Sequence, residues 1–197
     1  HLIHRFERGR RIFRAVDLQG ADLRGCNLNW VDLSRANLTN ADLRDADLSS
    51  AYLVKAKLTG ANLSGANLNR SVLVMADLRQ ADLSHVKADS YASRWYKVNL
   101  KKACLRQVIL SKADLTAANL EESDLEGAIL DGAQLYNADL RSARLGAHTP
   151  NQAATLHDAD LRGANLTAAH LENVAGHHVN LQGAYLCHAD LRGADFR

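Results

Sequence analysis

The chain has 197 residues, with 24 Lys and Arg against 22 Asp and Glu and a formal charge of +2, so no overall field draws it toward nucleic acid or drives it away. Its cysteines, Cys26, Cys104 and Cys187, are odd in number and far apart, which speaks against a disulfide framework and for a reducing, cytoplasmic compartment. No apolar run is long enough to span a membrane, and no signal-peptide pattern stands out.

At the start of the chain, Leu2, Ile3 and Phe6 stand at helical spacing, and Gly9 is placed to end a short helix. Residues 1–14 are therefore predicted to form an N-terminal cap. Its basic charge reads as the polar outside of a cap rather than a membrane or nucleic-acid site. Phe13 already keeps the phase of the repeat that follows.

From Leu18 to Leu83 almost every fifth residue is Leu, with a small residue two positions before it, as in Ala36 and Leu38, Ala41 and Leu43, Ala61 and Leu63. A helix would scatter these positions around its whole surface, and a flat strand would turn every second Leu outward. The pattern survives if each unit points its small residue and its Leu inward and then turns a corner, so that the chain winds into a coil. The phase breaks twice, near 86–97 and near 146–154. Val86 and Ala88 read as one degraded rung, and the repeat is expected to resume at Leu100, two residues out of phase. A second run ends at Leu145, before the only proline, Pro150, and a third extends from Leu156 to Phe196. Residues 15–197 thus read as one elongated domain whose core is a ladder.

The motif Ala-(Asp/Asn)-Leu-x-x, as in Ala66-Asn67-Leu68-Asn69-Arg70, resembles that of the pentapeptide repeat family, and the resemblance runs through nearly the whole chain. It implies an all-β fold, a right-handed quadrilateral parallel β-helix in which each pentapeptide makes one side and residues twenty apart stack. Function in the family is less uniform than fold. Some members bind DNA gyrase as DNA mimics, many cyanobacterial ones have no assigned role, and catalysis is not what the repeat is known for. Leu at nearly every central position resembles the Leu-rich bacterial, especially cyanobacterial, members, whereas the gyrase-binding relatives favour Phe.

Three groups outside the bare repeat are candidates for function. Tyr91, Trp95 and Tyr96 stand beside Arg94 and Lys97, an aromatic and basic mixture suited to a protein partner, against the reading, preferred here, that the aromatics pack onto the coil wall. His157, Asp158, His177 and His178 become neighbours under twenty-residue stacking, but ordinary surface histidines are preferred to a metal site because no second shell is evident. Gly176 occupies a Leu position and is expected to leave a small void or mark a bulge. No P-loop, nucleophile elbow or paired catalytic carboxylates appear, so no catalytic, cofactor or metal residues are assigned.

These features point to a non-enzymatic, protein-binding scaffold, with a DNA-mimicking modulator of gyrase or topoisomerase as the alternative. A DNA mimic needs a continuous acidic surface, whereas Arg24, Arg44, Arg79, Arg141, Arg162 and Arg192 follow Leu directly and stand beside Asp. The expected partner is a protein of unknown identity, with no nucleic acid and no membrane, and end-to-end dimerisation is expected through the last coil at Phe196. Stacking at twenty residues also predicts a charge ladder: Lys101 over Glu121, Lys102 over Glu122, Arg106 over Glu126, with Arg141 beyond Glu121 and Arg144 beyond Asp124. Lys57 over Asp77, Glu172 over Arg192 and His170 over Asp190 follow the same rule. Arg24 on Arg44 and Arg35 on Lys55 break it.

Overall fold

The computed structural model describes residues 9–88 and 92–197. They form a four-sided coil in which each side is two or three extended residues. The residue before each central Leu bridges in parallel to its counterpart one coil away: Asp22 to Asp42, Asp42 to Asn62, Asn62 to Asp82. Most sides make three backbone hydrogen bonds to the next coil. On the third wall, for example, the Leu23 and Gly25 amides donate to the Asp42 and Arg44 carbonyls, and the Asp42 amide donates back to the Ala21 carbonyl, all at 2.8–2.9 Å. The inward Ala and Leu side chains are almost wholly shielded along the axis, from Leu28 to Val174. Each buried Leu contributes about 1.5–3 kcal/mol of transfer free energy, offset by chain entropy.

The corners explain why the unit is five residues. After each central Leu the chain turns, with a bond such as the Ala21 amide to the Leu18 carbonyl at 3.0 Å. The third turn residue has a positive φ, as at Gly20 (64°), Asn40 (55°) and Lys55 (57°); the residue before it does not, which is the type II pattern. The Asp or Asn before Leu helps: its side-chain oxygen accepts the amide two residues on, as Asn67 does from Asn69 at 3.1 Å. Non-glycine residues resist the left-handed region by about 1–2 kcal/mol each, and here the amide of that residue is spent on a bond to the next coil, Asn40 to Thr59 at 3.0 Å.

The walls are numbered by the bridging residues that found them. Ile12, Asp32, Tyr52, Val72, Arg94, Asp114, Gln134, Asp160 and Asn180 run up the first wall, and the second, third and fourth begin at Asp17, Asp22 and Asn27. The first rung forms at Ile12 and Phe13, inside the segment predicted as cap. The helix predicted around Leu2, Ile3 and Phe6 lies outside the described residues, and among the described residues the only helical element is the 3-10 turn Pro150–Gln152. No helix among them is long and apolar enough to cross a membrane.

The first interruption is narrower than the sequence implied, and the second lies where it was expected. Val86 and Ala88 are fully buried and Lys87 bridges to Asn67 and Ile109, so this rung is regular rather than degraded. The repeat resumes at Ser93, Arg94 and Trp95 rather than at Leu100, since Arg94 bridges to Val72 and Asp114. Stacking passes from Val72 to Arg94, a step of 22 residues, and from Ile129 to Thr155, a step of 26. The first insertion therefore falls at the corner between the fourth and first walls, the second at the corner between the third and fourth. Gly176 leaves no void. An added Cβ there would stand 2.7 Å from the Phe196 ring, which fills the space of the missing Leu from the next coil.

Candidate interaction surface

Most surface charge on the coil is consumed locally. In Asp22-Leu23-Arg24 the Arg24 guanidinium donates from Nε to Asp22 Oδ1 at 2.8 Å and from Nη2 to Oδ2 at 2.6 Å, a two-pronged pairing. The same fork recurs at Asp42 and Arg44, Asp77 and Arg79, Asp139 and Arg141, Asp160 and Arg162, Asp190 and Arg192, and Asp195 and Arg197. The hydrogen-bonded guanidinium holds the carboxyls of Asp22 and Asp190 down to about 2 and lowers those of Asp42, Asp77 and Asp139. The spacing Asp-Leu-Arg was the sequence signal for these forks: two outward residues flanking one inward residue.

Between coils the predicted ladder is present. Lys101 Nζ meets Glu121 at 2.7 Å, Lys102 meets Glu122 at 3.2 Å and Arg106 meets Glu126 at 2.7 Å. Arg141 reaches Glu121 at 3.5 Å and Arg192 reaches Glu172 at 3.6 Å. Three pairs differ in their partners. Arg144 stacks on Asp124 but turns its side chain to Glu126 at 3.4 Å, Asp77 above Lys57 is taken by Arg79, and His170 faces Glu172 at 3.6 Å rather than Asp190. At Asp77 and His170 a local pair two residues apart replaces the coil-to-coil pair, whereas Arg144 exchanges one carboxylate of the neighbouring coil for another.

The aromatic and basic candidates separate. Trp95 takes the Leu position of the first wall with 0 % exposure, so it is a core residue and cannot meet a partner. Tyr91 lies outside the described residues. Arg94, Tyr96 and Lys97 do share the outer surface of the first wall and its corner, with Lys97 Nζ 5.1 Å from the Tyr96 ring centre. The ladder places them above residues that no sequence window joins: Tyr52, Val72 and Arg94 follow one another up the wall, and the corner stacks Val54, Val74 and Tyr96, then Lys55, Met75 and Lys97, in successive coils. Tyr52 and Met75 are 43 % and 50 % exposed.

Around this apolar strip the basic groups lack the compensation seen elsewhere. Arg35, Lys55, Arg94 and Lys97 enter no ion pair among the described residues. Arg35 and Lys55 occupy adjacent rungs, since the Arg35 amide donates to the Val54 carbonyl and the Lys55 amide to the Val74 carbonyl. Like charges on neighbouring strands repel. On the same wall, Asp32 below Tyr52 is held by Arg14 at 2.6 Å, and Asp114 stands one coil above Arg94.

The other candidates are self-satisfied. The His157 and His177 rings stack at 4.8 Å with 13° between planes, the His177 amide donates to His157 Nδ1, and His178 faces Asp158 at 3.3 Å. Among the described residues no group of His, Cys, Asp and Glu is placed to hold a metal ion. A groove of about 650 Å³ beside the second insertion is lined by Glu126, Arg144, Glu172 and Arg192, which pair with one another.

Comparison with known proteins agrees with this architecture. The family described as "Pentapeptide repeats (8 copies)" matches residues 12–49, 46–84, 109–146 and 154–193. HetL, a pentapeptide repeat protein involved in heterocyst differentiation regulation in the cyanobacterium Nostoc sp. strain PCC 7120, is 32 % identical over 98 % of this chain and 94 % of its own, with a TM-score of 0.73. Full-length QnrB1, a plasmid-mediated fluoroquinolone resistance protein, is 16 % identical over 94 % of this chain and 93 % of its own, with a TM-score of 0.61, a likeness of fold alone. No curated protein sequence matches significantly. The chain belongs to the pentapeptide repeat family, and its coil is the right-handed quadrilateral β-helix of that family.

Proposed function

We propose that this protein is a non-enzymatic scaffold that binds another protein through side chains displayed on its rigid walls. The observation that carries this reading is the first wall, where Tyr52, Val54, Val74, Met75 and Tyr96 form a continuous apolar strip held in place by the backbone ladder. Apolar strips with polar rims mark protein-binding surfaces. The DNA-mimic alternative requires an uninterrupted acidic wall to occupy a basic groove. Here Asp carboxylates along the coil are capped by Arg two residues on, so the sign alternates along the surface. A supercoiling assay with purified gyrase separates the two: activity and quinolone sensitivity should be unchanged at micromolar protein, and inhibition or protection would overturn the scaffold reading. Affinity capture followed by mass spectrometry then identifies the partner.

A further inference from the structure

We infer that the first wall, from the second to the fifth coil, docks an acidic, extended protein segment carrying apolar anchor side chains. This rests on the scaffold reading above and assigns it a place and a partner chemistry. The ridge Arg35, Lys55, Met75 and Lys97 rises one coil at a time, three steps of about 4.8 Å, or about 14 Å in all. That is the reach of about four extended residues. Arg94 stands on the wall itself, on the other side of the corner from Lys97, and Arg70 lies at the preceding corner. Basic groups therefore flank the apolar strip on both sides.

Two facts select the occupant. The ridge sets Arg35 directly below Lys55 without an ion pair, on a protein that elsewhere places a carboxylate beside nearly every guanidinium. A bound carboxylate relieves that repulsion, and electrostatic complementarity of this kind speeds and orients docking. Only Tyr52 and Tyr96 in the strip carry a flat ring on which a base can stack, and they stand two coils apart with Val74 and Met75 between them. The wall thus suits alternating carboxylate and apolar side chains of a polypeptide better than an oligonucleotide.

The test is to pan a random dodecapeptide phage library on the full chain, then measure a synthetic copy of the strongest binder by fluorescence polarisation. Enriched peptides should combine Asp or Glu with aromatic or aliphatic residues. Their affinity should fall about tenfold or more in Met75→Glu and in the Lys55→Glu, Lys97→Glu double variant, and should hold in Ser64→Glu, which adds the same charge on the far side of the coil. Lys55, Met75 and Lys97 are exposed and Ser64 is half-buried at the surface, and each variant should keep the wild-type melting curve. Enrichment of neutral or basic peptides, no enrichment, or binders indifferent to both first-wall variants would overturn the assignment. So would a single-stranded RNA that competes with the peptide and binds more tightly. A partner captured from lysate whose binding survives Met75→Glu would leave the scaffold reading standing and overturn only this docking surface.

Discussion

Trp95 Nε1 donates a hydrogen bond at 3.3 Å to Ser71 Oγ, one coil away, with both residues fully buried. The indole sits where the repeat has Leu, and Ser71 sits where it has Ala. Restoring the repeat residue at one position alone is therefore harmful. Ser71→Ala leaves a buried indole N–H unpaired and should cost about 1–3 kcal/mol. In a Trp95→Leu background the same Ser71→Ala change should cost almost nothing. Urea unfolding of the two single variants and the double measures the coupling; additive effects would mean that the bond contributes nothing.

The ladder core makes a plain demand at Leu63, which is fully buried. Leu63→Ala should cost about 2–5 kcal/mol through lost contacts and a cavity. Leu63→Asp places a charge among apolar neighbours and should abolish the cooperative transition of the surrounding coils. A melting curve like that of wild type would show that Leu63 does not face inward.

The forks set the response to acid. Asp22 and Asp190 are held at about 2 in the folded chain, below the ordinary value near 3.9 of an unfolded Asp. A depressed folded value means that their contribution to stability is complete above about pH 4 and disappears as pH falls toward 2. Arg24→Gln should move Asp22 back toward its ordinary value, which carboxyl-carbon NMR titration reads directly. An Asp22 that already titrates near 4 in wild type would contradict the fork.

Lys101 and Glu121, 2.7 Å apart and part-buried, test the coil-to-coil ladder. Lys101→Gln should lower stability by about 0.2–1 kcal/mol at low salt, and the difference should shrink in molar salt as screening tightens. A loss independent of salt would assign the effect to packing of the lysine stem.

The period of five made the coil legible, because only a turn after each Ala-x-Leu keeps both side chains inward, and the twenty-residue stacking then followed with Lys101, Lys102 and Arg106 meeting their acids. Trp95 was harder to place. It follows Ser93 in the small-x-large pattern of the repeat, but an aromatic beside Tyr96 and a phase shift resembles a loop until coordinates show Arg94 bridging to Val72. The local forks were visible as Asp-Leu-Arg, yet which of two carboxylates an arginine chooses depends on side-chain reach and not on period. The first-wall surface was least legible: Tyr52, Val74 and Tyr96 are strangers in sequence and neighbours only through the winding. Arg35 on Lys55, which stood out as an exception to charge pairing, turns out to lie on its rim.

The corners absorb the extra residues of both insertions, so that Val72 still meets Arg94 and Ile129 still meets Thr155 in parallel. Length along the axis is therefore counted in whole turns of chain, and the molecule behaves as a ruler with one tick per coil. Excising residues 51–70 would join Ser50 to Ser71 in phase, shorten the rod by about 4.8 Å, and bring Asp32 against Val72. Cutting one residue fewer would leave a single extra residue for the corner after Ser50 to take up, as the corners take up those of the two insertions. The first deletion should yield a folded protein missing Tyr52 and Lys55 from its first wall, while the second should fold with a bulged corner and a lower melting temperature.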